Sequence, residues 1–321
     1  TGKTILAIAS LLLLVSCEKA PDQQVLEPEP GTDVEARGFT VDGLEALRRY
    51  AVAQSTHSMR VSVRGELLFE FGPQDETSYI ASVRKSVLAM LYGPYVADGT
   101  IGLDATLDEL GFDDIGGLLP IEKQATVRDL ISARSGVYHR ASNGGDNSED
   151  APERGSQQPG SYFLYNNWDF NAAGALFEQL TGRNIYEEVH RQLVVPLGMQ
   201  DFDLAMHLER AKTGNLERSH YPAYHMHVST RDLIKVGQLM LQRGRWNGEQ
   251  LFDAEWLDEV VTTHTPLAEM NPERVREGHF GYGYMWWIFD EATHSPEYHG
   301  AYAARGHFGN YILVMPALDL V

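Results

Sequence analysis

Cysteine and basic residues are scarce in this 321-residue sequence, and both shortages restrict what the protein does. A single cysteine, Cys17, excludes internal disulfides and zinc sites built from several cysteines. Lysine and arginine total 26 against 45 acidic residues, which gives a formal net charge of −19 at pH 7. This charge argues against binding nucleic acid or anionic membranes through a basic surface. With 43% hydrophobic and 22% charged residues, the composition predicts a globular chain.

Long hydrophobic runs are also few, and the most prominent one lies at the N-terminus. Residues 1–17 contain Lys3, then an apolar run over 5–15, and then a small residue before Cys17. This order is typical of a secretory signal peptide, and the run is too short for a permanent membrane span. The sequence begins without Met, so we expect the natural N-terminus to lie further upstream.

The end of this segment, Leu14-Val15-Ser16-Cys17, resembles the lipobox of bacterial lipoproteins. The resemblance implies that Cys17 becomes the lipidated N-terminus of a protein anchored in the bacterial cell envelope and facing the periplasm. The alternative is a buried thiol, which the preceding charged and apolar regions disfavour. Membrane contact is therefore expected through the lipid only.

The rest of the chain divides into a linker and one domain. Residues 18–38 contain three prolines and several acids without a hydrophobic period, which predicts an extended linker. Residues 39–321 form the predicted domain, with an α/β part over about 39–100 and 228–321 and a helical part over about 101–227. The sequence ends at Val321 inside a predicted strand, so we expect a further strand and a final helix to follow.

Hydrophobic periodicity predicts the elements of that domain. Helices are expected over 41–54, from Ser82 to about 98, and over 126–133, 170–180, 186–193 and 233–243. Strands are expected over 59–63, 67–71, 281–289 and 311–315, the first two joined by a turn at Arg64-Gly65.

The first candidate for chemistry is Ser82-x-x-Lys85 at the start of a predicted helix. Residues three apart lie on one face of a helix, so the Lys85 ammonium can reach the Ser82 hydroxyl. Unpaired N–H groups at a helix start favour developing negative charge, so the Ser82 N–H is a candidate oxyanion donor. The pattern is short and also occurs from Ser16 to Lys19, so a nucleophilic Ser82 needs support from other residues.

Tyr165-x-Asn167, the chain's only Tyr-x-Asn, is the second candidate. A phenol close to an ammonium has a stabilised phenolate and can accept a proton from a serine hydroxyl. The alternative for Tyr165 is a core tyrosine at a turn, since most tyrosines serve packing.

Two other groups of polar residues suggest a metal. The acidic stretch from Asp104 to Asp114 has no ligand spacing, and a solvated loop explains it better. His220, His225 and His227 lack the spacing and carboxylate partners of a known site. We therefore expect neither a metal nor another cofactor.

A third element, His299-Gly300-Ala301, follows in the chain. The segments Tyr298-His299-Gly300-Ala301 and 311–315 bracket a Gly-rich turn through Gly306 and Gly309, which predicts two adjacent strands with His299 near a strand end. The order of Ser82-x-x-Lys85, Tyr165-x-Asn167 and His299-Gly300-Ala301 resembles the serine β-lactamase and penicillin-binding-protein superfamily, and specifically its class C-like branch. Further segments fall where that family has counterparts, from about residue 40 onward. They are Ser135-Gly136, Thr181-Gly182, Pro196-Leu197-Gly198-Met199, Ser229-Thr230-Arg231-Asp232 and Gly281-Tyr282-Gly283.

The resemblance implies a fold and a set of roles. The fold would be α/β (α+β) and β-lactamase/transpeptidase-like, with an antiparallel sheet flanked by helices, a mostly helical subdomain and a cleft between them. Ser82 would attack an acyl carbon, while Lys85 and Tyr165 share the proton transfers, with the general base left open between them. Asn167 would orient Lys85 and substrate, and the oxyanion would bind the N–H groups of Ser82 and Tyr302.

The sequence departs from the β-lactamase pattern at the third motif, where Lys-Thr-Gly is replaced by His299-Gly300-Ala301. A permanent cation becomes a group that is charged part of the time, which disfavours efficient β-lactam hydrolysis. A competing alignment makes His307-Phe308-Gly309 the third motif and ranks second, because it leaves no room for a turn before the strand at Tyr311.

The expected function is a serine hydrolase that cleaves an ester or amide in a small-molecule or peptide acyl substrate through a Ser82 acyl-enzyme. Alternatives within the enzyme hypothesis are a D-Ala-D-Ala carboxypeptidase and a weak β-lactamase. An alternative of another class is a non-catalytic lipoprotein that binds peptidoglycan or a protein with the same cleft.

Overall fold

The structure is a computed structural model that describes residues 34–145, 147–291 and 294–321. The predicted signal peptide with Cys17, and most of the predicted linker, lie outside the described residues. Within the described part, no helix is both long enough and apolar enough to cross a membrane.

The described chain alternates short strands with helices of up to 15 residues. The α-helices are α1 (Val41–Ala53), α2 (Val83–Ala97), α3 (Val127–Ile131), α4 (Asn167–Thr181), α5 (Ile185–Val189), α6 (Val195–Leu197), α7 (Leu204–Arg210), α8 (Thr230–Leu241) and α9 (Ala254–Val260). A π-helical turn, His190–Val194, joins α5 to α6.

The strands pair antiparallel throughout. They are β1 (Met59–Val63), β2 (Glu66–Phe71), β3 (Thr77–Tyr79), β4 (Lys212–Thr213), β5 (Ala223–Tyr224), β6 (His227–Ser229), β7 (Arg245–Trp246), β8 (Glu249–Gln250), β9 (Phe280–Tyr282), β10 (Trp287–Phe289), β11 (Tyr302–Gly306) and β12 (Asn310–Val314). This mixture of helices and antiparallel strands confirms the predicted α/β (α+β) class.

The largest sheet has the order β12-β11-β10-β9. The β1–β2 hairpin lies beside it, because Ser62 and Val321 exchange two backbone hydrogen bonds of 2.8 and 3.0 Å. Helix α8 packs against both β1 and β12, whereas α1 packs on β2. Helices therefore pack on the hairpin and on the edge strand β12 of the large sheet.

Helix α2 is the central element of this core. Every residue from Val83 to Gly93 is buried, and the helix contacts α4, α5, α9, β11 and β12. The Ser86 hydroxyl donates to the Met285 carbonyl at 2.6 Å, and the Trp286 indole N–H donates to the Ser86 carbonyl at 3.2 Å. These bonds fix the start of α2 against the turn that precedes β10.

The prediction of a single strand over 281–289 is wrong, because the segment forms a hairpin of two strands, β9 and β10. The register pairs Tyr282 with Trp287, and Met285 takes a left-handed φ of 58° in the turn between them. An unbroken apolar run does not indicate such a turn, since the residue that reverses the chain is not a glycine.

A close contact between Gly93 and Trp256 holds α2 against α9. The Trp256 indole donates to the Ala89 carbonyl at 3.0 Å, and a Cβ added at Gly93 would lie 2.5 Å from Trp256 Cδ1. We expect Gly93→Ala to lower the free energy of unfolding by about 1–3 kcal/mol, as overpacking does, although alanine favours a helix by about 1 kcal/mol. Urea denaturation measures this change.

The same substitution in a Trp256→Leu background supplies the control. With the indole removed, Gly93→Ala should cost less or become stabilising, because the intrinsic helix preference then dominates. An equal loss in both backgrounds would contradict the packing explanation.

Candidate active site

Ser82 is held in a strained turn at the start of α2. The preceding residue, Ala81, has a left-handed φ of 48°, which is unusual for a residue with a Cβ and costs on the order of 1 kcal/mol or more. Ser82 occupies the N-cap position, yet its hydroxyl makes no capping hydrogen bond. Among the buried residues that surround it, Ser82 remains partly exposed. The turn therefore leaves the Ser82 hydroxyl accessible, because the hydroxyl does not cap the N-terminus of α2.

Lys85 contacts two other residues that the sequence predicted for the site, Tyr165 and Asn167. Its side chain is buried, and Nζ donates to the Tyr165 hydroxyl and to Asn167 Oδ1, both at 2.7 Å. Nζ also lies 4.2 Å from the ring centroids of Tyr165 and Phe170. A phenol this close to an ammonium has a stabilised phenolate, so the pair can pass a proton between amine and phenol.

Helix α4 positions the residues that contact Lys85. The side chain of Asn166 caps α4 by accepting from the Asp169 N–H, and Asn167 is the first residue of the helix. Asn167 Nδ2 donates to the Gly144 carbonyl at 2.8 Å, which leaves its oxygen directed at Lys85. Local capping chemistry thus sets the position of the Tyr-x-Asn segment.

Aromatic rings enclose the Tyr165 side chain. Its ring lies 4.8 Å from Phe170, 5.3 Å from Trp287 and 6.0 Å from Tyr282, measured between centroids. Burial raises the pKa of the Tyr282 phenol well above its usual value, so Tyr282 stays neutral. These contacts fix the Tyr165 ring, and Trp287 separates it from the end of the sheet.

A buried carboxyl supports the loop behind Tyr165. The Ser135 hydroxyl donates to Asp169 Oδ1 at 2.6 Å, and the Leu164 N–H donates to the Ala133 carbonyl at 2.9 Å. Burial raises the pKa of Asp169 well above its usual value. The predicted Ser135-Gly136 segment therefore acts by holding the Tyr165 loop.

A second buried cation, Arg84, lies beside Lys85 in the sequence. Its guanidinium carbon lies 4.2 Å from the Tyr224 ring centroid, and Nη2 donates to Asn171 Oδ1 at 3.4 Å. Burial, and then the Arg84 charge, lower the pKa of His225 to about 4. Burial and the Arg84 charge therefore keep His225 neutral around pH 7.

The polar residues that suggested a metal contact other protein groups in the structure. Asp114 accepts from the Trp168 indole at 2.7 Å, from the Ser219 hydroxyl at 2.6 Å and from the His220 N–H at 2.7 Å. His225 and His227 pack against Tyr79. In the described segments, no group of three or more His, Cys, Asp or Glu side chains is arranged to hold a metal ion.

The structure places the predicted third motif away from Ser82, which corrects that prediction. His299 and Gly300 are exposed after a 3-10 turn, Pro296–Tyr298, which contacts another turn at Pro316–Leu318. Ala301 and Tyr302 are buried, and Tyr302 pairs with Ile288 on one side and with Val314 on the other.

The other end of β11 reaches the Ser82 turn instead. A Cβ added at Gly306 would overlap the Ile80 carbonyl oxygen and approach the Ala81 Cβ at 3.2 Å. At about 3.3 Å per residue, Tyr302 lies roughly 13 Å along the strand from this contact. The glycine that permits the close approach is therefore Gly306, a residue that the sequence analysis did not select.

The competing motif, His307-Phe308-Gly309, follows this contact directly. The expectation that no room remains for a turn before Tyr311 is wrong, because the motif itself forms the turn. Phe308 and Gly309 have φ values of 65° and 77° and reverse the chain in three residues. A phenylalanine at positive φ carries no sequence signal. Of the two glycines in the predicted turn, Gly309 lies in the turn, whereas Gly306 is the last residue of β11.

Backbone alternation determines which N–H groups of β11 face the site. The Phe289 N–H donates to the Ala301 carbonyl at 3.0 Å, so Ala301, Ala303 and Arg305 direct their backbone groups toward β10. The pairing with β10 ends at Trp287 and Ala303. Since Gly306 is extended, with φ −124° and ψ 154°, the His307 N–H continues on the same open side, next to Ser82.

Comparison with known proteins identifies a family and similar folds. The model of the Beta-lactamase family matches residues 38–321. An uncharacterized protein of Alkalihalophilus pseudofirmus is 24% identical over 265 residues, which are 77% of this chain and 73% of that protein.

Two solved structures illustrate the structural likeness. The octameric penicillin-binding protein homologue from Pyrococcus abyssi has a TM-score of 0.61 and 19% identity, with 88% of this chain and 72% of that chain covered. EstCE1, a hydrolase with promiscuous acyltransferase activity, has a TM-score of 0.63 and 15% identity, with 89% and 91% covered. At these identities the likeness shows the fold, and it confirms the predicted β-lactamase/transpeptidase-like fold.

Gly306 provides a test of the corrected third element. A Cβ at this position would push β11 away from Ile80 and Ala81, and a displacement of about 1 Å near reacting atoms can cost on the order of 100-fold. We expect Gly306→Ala to lower kcat/KM for a p-nitrophenyl ester by about that factor. At Gly102, an added Cβ would meet Ala105 Cβ at an ordinary 3.7 Å, so Gly102→Ala is the matched control. Wild-type activity in Gly306→Ala would contradict the assignment.

The His225 environment predicts how stability depends on pH. The pKa of His225 is lowered from 6.5 to about 4 by burial and then by Arg84. Between these two pH values, His225 is protonated in the unfolded chain and neutral in the folded chain. The contribution is present above pH 6.5 and is lost as the pH falls toward 4. Because solvent screens the partly exposed ring, it is smaller than the roughly 3 kcal/mol that the full shift would give.

We expect His225→Gln to lose less stability than wild type between pH 7 and pH 5 in urea denaturation. From pH 7 to 8, where His225 is neutral in both states, the two proteins should differ by a constant amount. Parallel curves down to pH 5 would contradict the assignment.

Proposed function

This chain belongs to the Beta-lactamase family, over residues 38–321, and from that premise we propose that it is a serine hydrolase that cleaves an ester or amide through an acyl-enzyme on Ser82. The family is generally one of serine hydrolases. The observation that supports the proposal most directly is the Lys85 ammonium, which donates to the Tyr165 hydroxyl at 2.7 Å one helical turn from Ser82.

The reactive form of the Lys85–Tyr165 pair has one proton fewer than an ammonium and a phenol together, as amine and phenol or as ammonium and phenolate. In the first step, the Ser82 oxygen attacks the acyl carbon and its proton passes to this singly deprotonated pair. Because the two groups share a hydrogen bond, the proton on either one is stabilised by the other, and the pair acts as one base. Asn167 holds Lys85 in place through its side-chain oxygen. Collapse of the tetrahedral intermediate then breaks the bond to the leaving group, which takes the proton from the pair.

The oxyanion of that intermediate is stabilised by two backbone N–H groups, those of Ser82 and His307. The N–H of Ser82 lies at the start of α2, and the His307 N–H is directed to the open side of β11 next to it. Preorganised donors of this kind act where the charge develops. In the second step, water attacks the acyl carbon, the same pair accepts its proton, and the Ser82 oxygen is released with a proton.

Esters and amides lead the substrate proposal, ahead of D-Ala-D-Ala peptides and β-lactams. No lysine lies on β11, and the residue of that strand that approaches the Ser82 turn is Gly306. We also propose, on the sequence pattern alone, that Cys17 carries a lipid and anchors the domain to the bacterial cell envelope, facing the periplasm.

Removal of the nucleophile tests the proposal. We expect an active-site serine probe to label the wild-type protein and Ser161→Ala, a substitution at an exposed serine, but not Ser82→Ala. Turnover of a p-nitrophenyl ester, a chromogenic cephalosporin and a D-alanyl peptide then ranks the substrate classes. Equal labelling of Ser82→Ala, or no turnover with saturable ligand binding that Ser82→Ala retains, would favour the non-catalytic alternative.

Removal of the Tyr165 hydroxyl tests the shared base. We expect Tyr165→Phe to lower kcat by about 10²–10⁴-fold, the range for a positioned acid–base group. Tyr50→Phe, at a ring that is 60% exposed on α1, should leave kcat unchanged. If Tyr165→Phe retained wild-type kcat, Lys85 would have to act without the phenol.

A further inference from the structure

Arg84 is a buried cation to which the described part of the chain supplies no opposite charge. Its side chain is 2% exposed, and it takes part in none of the ion pairs formed within residues 34–145, 147–291 and 294–321. A charge in a protein interior is strongly unfavourable unless it is paired and hydrogen-bonded. The buried Glu122 meets this rule, because it accepts from Arg154 at 2.9 and 2.5 Å. Arg84 departs from it, so its charge needs another partner.

The hydrogen bonds of the Arg84 guanidinium are also incomplete. Nη2 donates to Asn171 Oδ1 at 3.4 Å, which is longer than the usual N–H···O distance, whereas Nε and Nη1 are buried without a partner. In a planar guanidinium, Nη2 shares one edge with Nε and the other with Nη1. An acceptor at either edge therefore meets one unpartnered N–H together with the weakly bonded Nη2. Unsatisfied buried donors are costly, most of all on a charged group.

The groups around Arg84 offer further donors and no negative charge. Its guanidinium carbon lies 4.2 Å from the Tyr224 ring centroid, and the hydroxyls of Tyr224 and Tyr186 are buried without a hydrogen-bond partner. Burial raises the pKa of both phenols, and the Arg84 charge opposes this rise only in part, so both stay protonated. Burial, and then the Arg84 charge, lower the pKa of His225 and keep it neutral near pH 7. The enclosure around Arg84 thus has a positive charge that no neighbouring group balances.

The burial of this enclosure restricts what can balance the charge. Asn171, Tyr186 and Tyr224 are each 1% exposed, so an organic body attached to an anion has no outlet to solvent. Burying two charges costs more than burying one, and a guanidinium is itself weakly hydrated, which favours a weakly hydrated partner. These conditions select a small monovalent ion.

We propose that Arg84 binds a buried chloride ion, which balances the guanidinium charge and accepts hydrogen bonds from it. Hydrogen bonds between ionised groups are stronger than those between neutral groups, so one ion can offset the burial of the cation. Because chloride is spherical, it accepts N–H and O–H donors from several directions at once. This anion site does not depend on whether Ser82 is a nucleophile.

The proposed anion site lies beside the Lys85 contacts, on the same pair of helices. Arg84 and Lys85 are neighbours on α2. The amide oxygens that accept from them belong to Asn171 and Asn167, which lie one helical turn apart on one face of α4. Two buried cations in one helix interface repel each other. A chloride ion at Arg84 reduces this repulsion and so stabilises the packing of α2 on α4.

Stability measured at constant ionic strength tests the chloride site. Urea denaturation is carried out at about 20 and about 200 mM chloride, with gluconate, which is too large for the enclosure, as the remaining anion. A ligand that binds only the folded chain raises the equilibrium constant for folding. We expect this constant to rise by about 3–10-fold between the two chloride concentrations in the wild-type protein, as one bound ion requires. No rise would overturn the proposal.

Two variants show whether the response comes from Arg84. Arg84→Met removes the charge and keeps much of the side-chain volume, so its stability should not respond to chloride. Arg245→Gln, at an exposed arginine of β7, should keep the wild-type response. An equal response in Arg84→Met and wild type would assign the chloride effect to another place and overturn the proposal.

Bromide supplies a measurement that needs no variant, should Arg84→Met fail to fold. Bromide is a close substitute for chloride and scatters X-rays anomalously. In crystals of protein refolded in sodium bromide, we expect an anomalous peak at one edge of the Arg84 guanidinium. A water at that position gives no peak, and this result would overturn the proposal. Neither outcome depends on ester turnover or on labelling of Ser82, so the anion site and the hydrolase proposal stand or fail separately.

Discussion

The hydrogen bonds from Lys85 to Tyr165 and to Asn167, each 2.7 Å long, are the constraint on which the rest of the structure depends. A buried ammonium is costly unless its protons are satisfied, so the two acceptors must be delivered from elsewhere in the chain. Helix α4 delivers them through the Asn166 cap, and α2 delivers the amine. The Tyr92 hydroxyl donates to the Ala173 carbonyl at 2.7 Å and so holds α2 against α4. This packing therefore positions the acceptors of Lys85 as well as forming the core.

Two adjacent cations, Arg84 and Lys85, are buried on α2, and their contacts differ. Lys85 is directed at a phenol and an amide oxygen, whereas Arg84 is directed at the face of Tyr224 and at Asn171. Both rely on polarisable rings and neutral oxygens, which accept a positive charge without neutralising it. Two basic side chains are therefore buried next to Ser82 in a protein whose overall charge is strongly negative.

Sequence analysis predicted the features that local rules determine and missed those that tertiary contacts determine. Periodicity predicted α1 and the β1–β2 hairpin closely, because their apolar positions and the Arg64-Gly65 turn are local signals. The Lys85, Tyr165 and Asn167 side chains, far apart in the sequence, meet as the ordered motifs indicated. The third element failed because register, not composition, decides which end of β11 meets Ser82. A sequence cannot show that Gly306 touches Ile80, or that Phe308 replaces a glycine in the turn.

Ala81 carries a further consequence. Its left-handed backbone is held by the neighbouring strand and helix, so part of the energy released by folding is retained at one peptide beside the nucleophile. A glycine there would relieve the strain and also let the loop sample other shapes. Stability and catalytic activity therefore make opposite demands on Ala81, so selection for one property lowers the other.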